Sequence, residues 1–222
     1  MKHIVFILTI IILLGCGSDD PVNVKTASRS VADYMYDGAV GTEYWYKGRT
    51  ISTDTNDRTQ KIYEDTLITM ILNRAYPHPS LGACVQVQER RISAPEYADT
   101  LYYAFNENVI SYTKQKNAVT NTNRLLVGPL QKGTLQGLPD ADTSMIREIN
   151  YPMTTAAGNF STVYMWSIQY YSNKVSTTER NFYFAPGALF CKIEIVRKRR
   201  MSSGDIVLHT HDIRELIKVK KP

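Results

Sequence analysis

The chain of 222 residues is poor in groups that do chemistry. It has three cysteines and four histidines, and no two cysteines stand at the CxxC spacing of a redox pair or a zinc ribbon. No GxSxG nucleophile elbow, HExxH zinc helix or phosphate-cradling GxxxxGK occurs. These absences argue against an enzyme, and no cofactor or metal is expected. His209 and His211 share one face of a strand, but a metal there would need a carboxylate opposite; a solvated pair is the simpler reading. Long apolar runs are equally scarce. There is one, Ile4 to Leu14, broken only by Thr9, and it falls short of the about 20 residues that a membrane-crossing helix needs.

That run suits a different purpose. With Lys2 before it and Leu13-Leu14-Gly15-Cys16 at its end, it has the layout of a secretory leader and resembles the lipobox of bacterial lipoproteins, although a leucine before the glycine is less usual there than a small residue. The resemblance implies a signal peptide over 1–15, diacylation of the Cys16 thiol, and a membrane-anchored place in the cell envelope, with the outer membrane expected. Gly17 to Arg29 is polar with few large apolar residues, so 16–30 reads as the lipidated cysteine and a flexible tether. Asp19-Asp20 resembles an acidic surface-sorting signal, and a merely soluble linker explains it equally well.

Removing the leader takes away one basic residue, Lys2, so the formal net charge falls from +5 to +4. An exported basic chain does not meet nucleic acid; anionic head groups or cell-wall polymers suit that charge. With Cys16 acylated, Cys84 and Cys191 remain as an even pair in an oxidising compartment. A disulfide and two buried free thiols both stay open.

The remainder reads as strands, forming one β-rich domain over 31–222. From Phe160 the even positions are Phe160, Thr162, Tyr164, Trp166, Ile168 and Tyr170, a large set recurring every second residue, which predicts a strand with that face on the core. Ala185-Pro186-Gly187-Ala188 predicts a chain reversal, with a return strand carrying Leu189, Cys191, Ile193 and Ile195 on one face. Ile62 to Tyr76 is rich in β-branched residues, although Ile68, Ile71 and Leu72 would also fit a helical face. Asn106-Glu107-Asn108 predicts a tight turn, Ser202 to Asp205 another, and Asp212 to Lys220 a strand or short final helix.

The second half echoes the first. Gly41-Thr42 recurs as Gly133-Thr134, the run at 62–76 is matched to 160–171, and Tyr102–Phe105 to Phe182–Phe184; the offset falls from 92 to 80 residues. Two diverged repeats and a chance likeness of β-hairpins both stay open.

Leu126-Val127-Gly128-Pro129-Leu130, Lys132-Gly133-Thr134, Ala157-Gly158-Asn159-Phe160 and Tyr183 to Leu189 with Lys192 and Glu194 together resemble the pattern of a broad set of bacterial secreted lipoproteins of uncharacterised function. Thr162 stands where those have a cysteine, and Ala188-Leu189 lacks their second glycine. The resemblance implies a curved antiparallel sheet, a half-barrel or incomplete barrel akin to lipoprotein-carrier proteins, and it implies no activity. On this sequence the chain is expected to be a membrane-tethered binding or accessory module for an apolar or glycan ligand or an envelope partner, with Tyr164, Trp166 and Tyr170 as candidate ligand-binding aromatics. The other reading is a structural component of the envelope with no small ligand.

Overall fold

A computed structural model describes residues 29–222 apart from 56–57, 107, 118–121, 139–140, 172–175 and 201–205. The expected leader, Cys16 and all but the end of the tether lie outside the described residues. After a 3₁₀ turn at Val31–Tyr34 come β1 (Glu43–Asp54), β2 (Gln60–His78), β3 (Gly82–Arg91), β4 (Asp99–Asn106), β5 (Val109–Thr113), β6 (Asn123–Val127), β7 (Thr143–Thr155), β8 (Gly158–Tyr171), β9 (Ser176–Ala185), β10 (Leu189–Arg200) and β11 (Ile206–Lys220). The helical alternative at 62–76 is not adopted, and the final segment is a strand through Lys220. All eleven strands form one antiparallel sheet in the order β6-β5-β4-β3-β2-β1-β11-β10-β9-β8-β7, curled into a half-barrel.

Phe160 packs on the core and Thr162 is buried, as expected, but from Val163 onward the core face of β8 is the reverse of the expected one. Val163, Met165 and Ser167 are buried, whereas Tyr164, Trp166 and Ile168 are half-buried and Tyr170 is exposed. From Val163 the smaller odd-numbered side chains turn to the inner side. The larger rings lie outside, where a hydroxyl or indole N–H can reach a partner. Tyr164 donates to Asn181 at 2.9 Å and Trp166 to Glu179 at 2.7 Å.

Cys84 and Cys191 are buried free thiols, not a disulfide. They sit on β3 and β10, four inter-strand steps of about 4.8 Å apart along the sheet, and a bridge needs Cα atoms within about 7 Å. Each thiol has found a backbone carbonyl instead, of Tyr76 at 3.4 Å and of Tyr183 at 3.6 Å. Burial pushes both thiols up, to about 11 for Cys84 and about 12 for Cys191, so both stay protonated at neutral pH.

The internal repeat extends to individual hydrogen bonds. Gly41 N–H donates to Ile71 O at 2.8 Å and Ile71 N–H to Thr42 O at 3.0 Å; Gly133 N–H donates to Ile146 O at 2.8 Å and Ile146 N–H to Thr134 O at 3.0 Å. Both glycines have φ near +88°, at 88° and 87°, a conformation that costs a residue with a Cβ. The β2–β3 ladder slips between Ile71, Asn73 and Tyr76, and the β7–β8 ladder slips between Ile146, Glu148 and Tyr151. At the equivalent bulge Cys84 bonds the Tyr76 carbonyl and Thr162 bonds that of Tyr151 at 2.9 Å. The counterpart of 62–76 is therefore β7, and β8 corresponds to β3, which corrects that part of the sequence match.

Two devices finish the sheet. Leu135 bridges Met145 on edge strand β7, while the side chain of the next residue, Gln136, accepts from Val127 N–H at 2.7 Å and donates to Val127 O at 2.8 Å on the other edge strand, β6. One buried amide thus extends the β6 ladder and ties the two edges. Gln136→Leu keeps the volume and orphans both Val127 groups, so it should cost about 1–3 kcal/mol. Chemical denaturation and faster hydrogen exchange at Val127 would show it.

The second device is the turn 185–188, the chain reversal expected there. Asp37 N–H donates to Gly187 O at 3.0 Å and Gly187 N–H to Asp33 O at 2.9 Å, and the Tyr44 hydroxyl reaches Gly187 O at 2.9 Å. The segment before β1 is pinned onto the end of the half-barrel.

Candidate functional site

Strict alternation sends every second side chain of each strand to the inner face. From β1 come Tyr44 and Tyr46, from β2 Leu67 and Ile71, from β3 Val87 and Glu89, from β4 Leu101 and Tyr103, from β9 Phe182 and Phe184, and from β11 Arg214 and Leu216. Tyr36 closes one end, packed on Tyr44 at 4.8 Å and Tyr103 at 5.6 Å between ring centroids. The side chains at this end fill the interior. Further along they do not, and a cavity of about 380 Å³ remains, lined by Tyr36, Tyr46, Tyr103, Tyr112, Leu67, Leu101, Leu125, Phe182, Phe190 and Ile193, with Glu89, Arg91, Asp99, Lys114 and Arg214 among them. A second open cavity of about 340 Å³ continues it, and Leu67, Arg91, Ile193 and Arg214 line both. Together they form one trough along the inner face, within the usual size range of ligand sites.

Most charges in the trough are already partnered. Lys114 holds Asp99 at 2.9 Å and Arg197 holds Asp212, while Arg49 with Glu64 at 3.7 Å and Arg90 with Glu43 at 3.5 Å pair on the outer side of the same strands. Asp65 accepts from Ser93 and Thr66, and those bonds hold its carboxyl below the usual range against the opposing effect of burial. Among the described residues Glu89, Arg91 and Arg214 have no ion-pair partner within 4.0 Å. Burial raises the Glu89 carboxyl, Asp99 adds to the rise, and the charges of Arg214 and then Lys114 oppose it. Burial likewise raises Tyr36, Tyr46 and Tyr103, so their hydroxyls stay neutral.

An acid whose pKa is raised by folding destabilises the fold when ionised. The cost is absent below the unfolded value of about 4.3 and complete above the folded one. Glu89→Gln should therefore be more stable than the parent at pH 7 and match it near pH 4, as read from urea midpoints. A parent that is the more stable of the two at pH 7 would mean that Arg214 outweighs the burial.

The aromatics picked out from the sequence are elsewhere. Tyr164, Trp166 and Tyr170 project from the outer face of β8, and none lines the trough. Tyr164 stacks on Tyr183 at 4.9 Å and 10°, and Arg147 lies 4.5 Å from the centre of the Trp166 ring. His209 and His211 also lie outside, facing Lys198 and Val196 on β10 and Thr53 and Ile51 on β1, with no carboxylate opposite. Among the described residues no group of three or more histidines, cysteines or acids could hold a metal. The trough residues Glu89 and Arg214 left one trace in the sequence: each continues an inward alternation, Val85-Val87-Glu89 and Asp212-Arg214-Leu216, by placing a charge where an apolar side chain would be routine.

No family model matches the chain, and neither does any curated protein. Among crystal structures, the fold is similar to that of a candidate exported protein with a YmcC-like fold from Bacteroides fragilis NCTC 9343, with a TM-score of 0.51 at 11% identity over 84% of this chain and 99% of that one. A candidate lipoprotein from Parabacteroides distasonis ATCC 8503 gives 0.47 at 11% identity over 84% and 98%. At this identity the first likeness establishes a shared fold.

Proposed function

We propose that the chain is a lipoprotein of the cell envelope, anchored through acylated Cys16 in the outer membrane, which offers the trough to an extended ligand. The observation that carries this reading is the interior itself. A scaffold protein gains stability by filling its core, and this one leaves about 380 Å³ open beside Glu89, Arg91 and Arg214, which among the described residues have no ion-pair partner within 4.0 Å. The leader and lipobox layout support export and acylation, and the shared fold with a candidate exported protein agrees with them. Tyr164 and Trp166 favour a structural role for themselves, since their polar ends are bonded within the sheet.

Cys16→Ala should move the protein from the membrane pellet into the soluble fraction at high salt, where contacts by charge alone are screened. Native mass spectrometry of that variant should then show a bound species, glycan or lipid. A variant that stays with the membrane refutes the anchor, and a protein that carries nothing and takes up nothing favours the purely structural component.

A further inference from the structure

We infer that the waist of the trough, where Arg91 and Arg214 stand beside Leu67 and Ile193, recognises an acidic glycan, with the two guanidinium groups on a sugar carboxylate and the neighbouring tyrosines against the rings. The inference rests on the binding reading above and names its ligand class.

Arg91 and Arg214 line both chambers, whereas Arg197, the other arginine on the inner face of the second chamber, is paired with Asp212. Among the described residues neither guanidinium is in an ion pair within 4.0 Å, and both stand where the two chambers join. A planar guanidinium matches a carboxylate in a two-bond geometry that a point charge does not. An acyl chain fits poorly, because it would strip water from these charges and give nothing in return. Sugar rings suit the same lining. Their apolar faces can pack on Tyr97 and Tyr63, the exposed rings that line the first and second chambers, and their hydroxyls can donate to Glu89, which lines the first chamber with Arg214.

The test uses the full chain carrying Cys16→Ala and four probes in calorimetric titration: hexagalacturonate, its fully methyl-esterified form, palmitate and inorganic phosphate. The two sugars share one backbone and differ in that each carboxylate is a neutral methyl ester in the second. Hexagalacturonate should bind, and the ester should bind at least about tenfold more weakly, the scale of a charge-assisted hydrogen bond. Arg214→Gln and Arg91→Gln should each weaken the acid by a similar factor, leave the ester unaffected and keep the parent circular dichroism. Equal binding of acid and ester overturns the charge recognition while the trough reading stands. Binding of palmitate alone overturns the glycan and also leaves the trough reading intact. Phosphate that displaces hexagalacturonate at equal anion concentration shows that the sugar contributes nothing, and overturns the glycan as well. If no probe binds and native mass spectrometry shows no ligand, the trough reading fails with the inference.

Discussion

Phe184→Ala should destabilise the fold by about 3–5 kcal/mol, a fall in Tm on the order of 10 °C for a domain of this size. Phe184 is fully buried at 0% exposure, lies 4.8 Å from Phe190 and 6.1 Å from Phe182 between ring centroids, and faces Val163 across the β8–β9 ladder. Its removal opens a hole that three strands border and that none can move to fill. Trp166→Ala is the matched comparison. Trp166 is the bulkier side chain, but it lies half-exposed on the outer face, and water can replace its bond to Glu179 and its contact with Arg147. It should cost less than half as much. If Trp166 proves the more damaging, the inner and outer faces assigned to β8 are exchanged.

Gly187→Val should cost about 2–4 kcal/mol and free the segment before β1. Gly187 has φ +72°, and a Cβ there would lie 2.4 Å from Asp37 Oδ2 and 2.6 Å from its Cγ. The left-handed conformation alone costs a side chain about 1–2 kcal/mol. The collision adds the loss of the bonds that tie Gly187 to Asp33, Asp37 and Tyr44. Gly82→Val separates the two parts, because Gly82 has φ +70° with nothing within 4 Å of the added Cβ. It should show the conformational cost only. Limited trypsin digestion should cut Gly187→Val after Arg29 while sparing Gly82→Val. Equal damage from both would mean that the docked segment contributes nothing to stability.

The all-β character and the turn at 185–188 could be read from the sequence because period-two alternation and Pro-Gly chemistry act locally. The face of β8 could not. Both its residue sets are apolar enough to bury, and the choice between them depends on the curvature of the sheet, a property of all the strands together. The repeat was half legible. Gly41-Thr42 and Gly133-Thr134 use the same rare backbone conformation, so the residues persist, whereas β2 and β7 share a pattern of bulges that leaves little mark on side chains. The trough was missed for a related reason. Fifteen tyrosines make aromatics the conspicuous class, while the informative residues are charges in apolar places, Glu89 and Arg214, which line one cavity only when β3 and β11 curl toward one another.

The sheet order carries a consequence for how the molecule comes into being. β1 and β11, the first and last strands, are neighbours in the middle of the sheet, paired from Glu43–Lys220 to Asp54–Leu208. Neither half can be closed by the other until the final strand has emerged, and until then β1 is an open edge that would accept a wrong partner. A contact between the two ends of a chain is among the most remote in sequence and the slowest to find. The sheet therefore stays unfinished while the chain is being made, and locks only when β11 arrives.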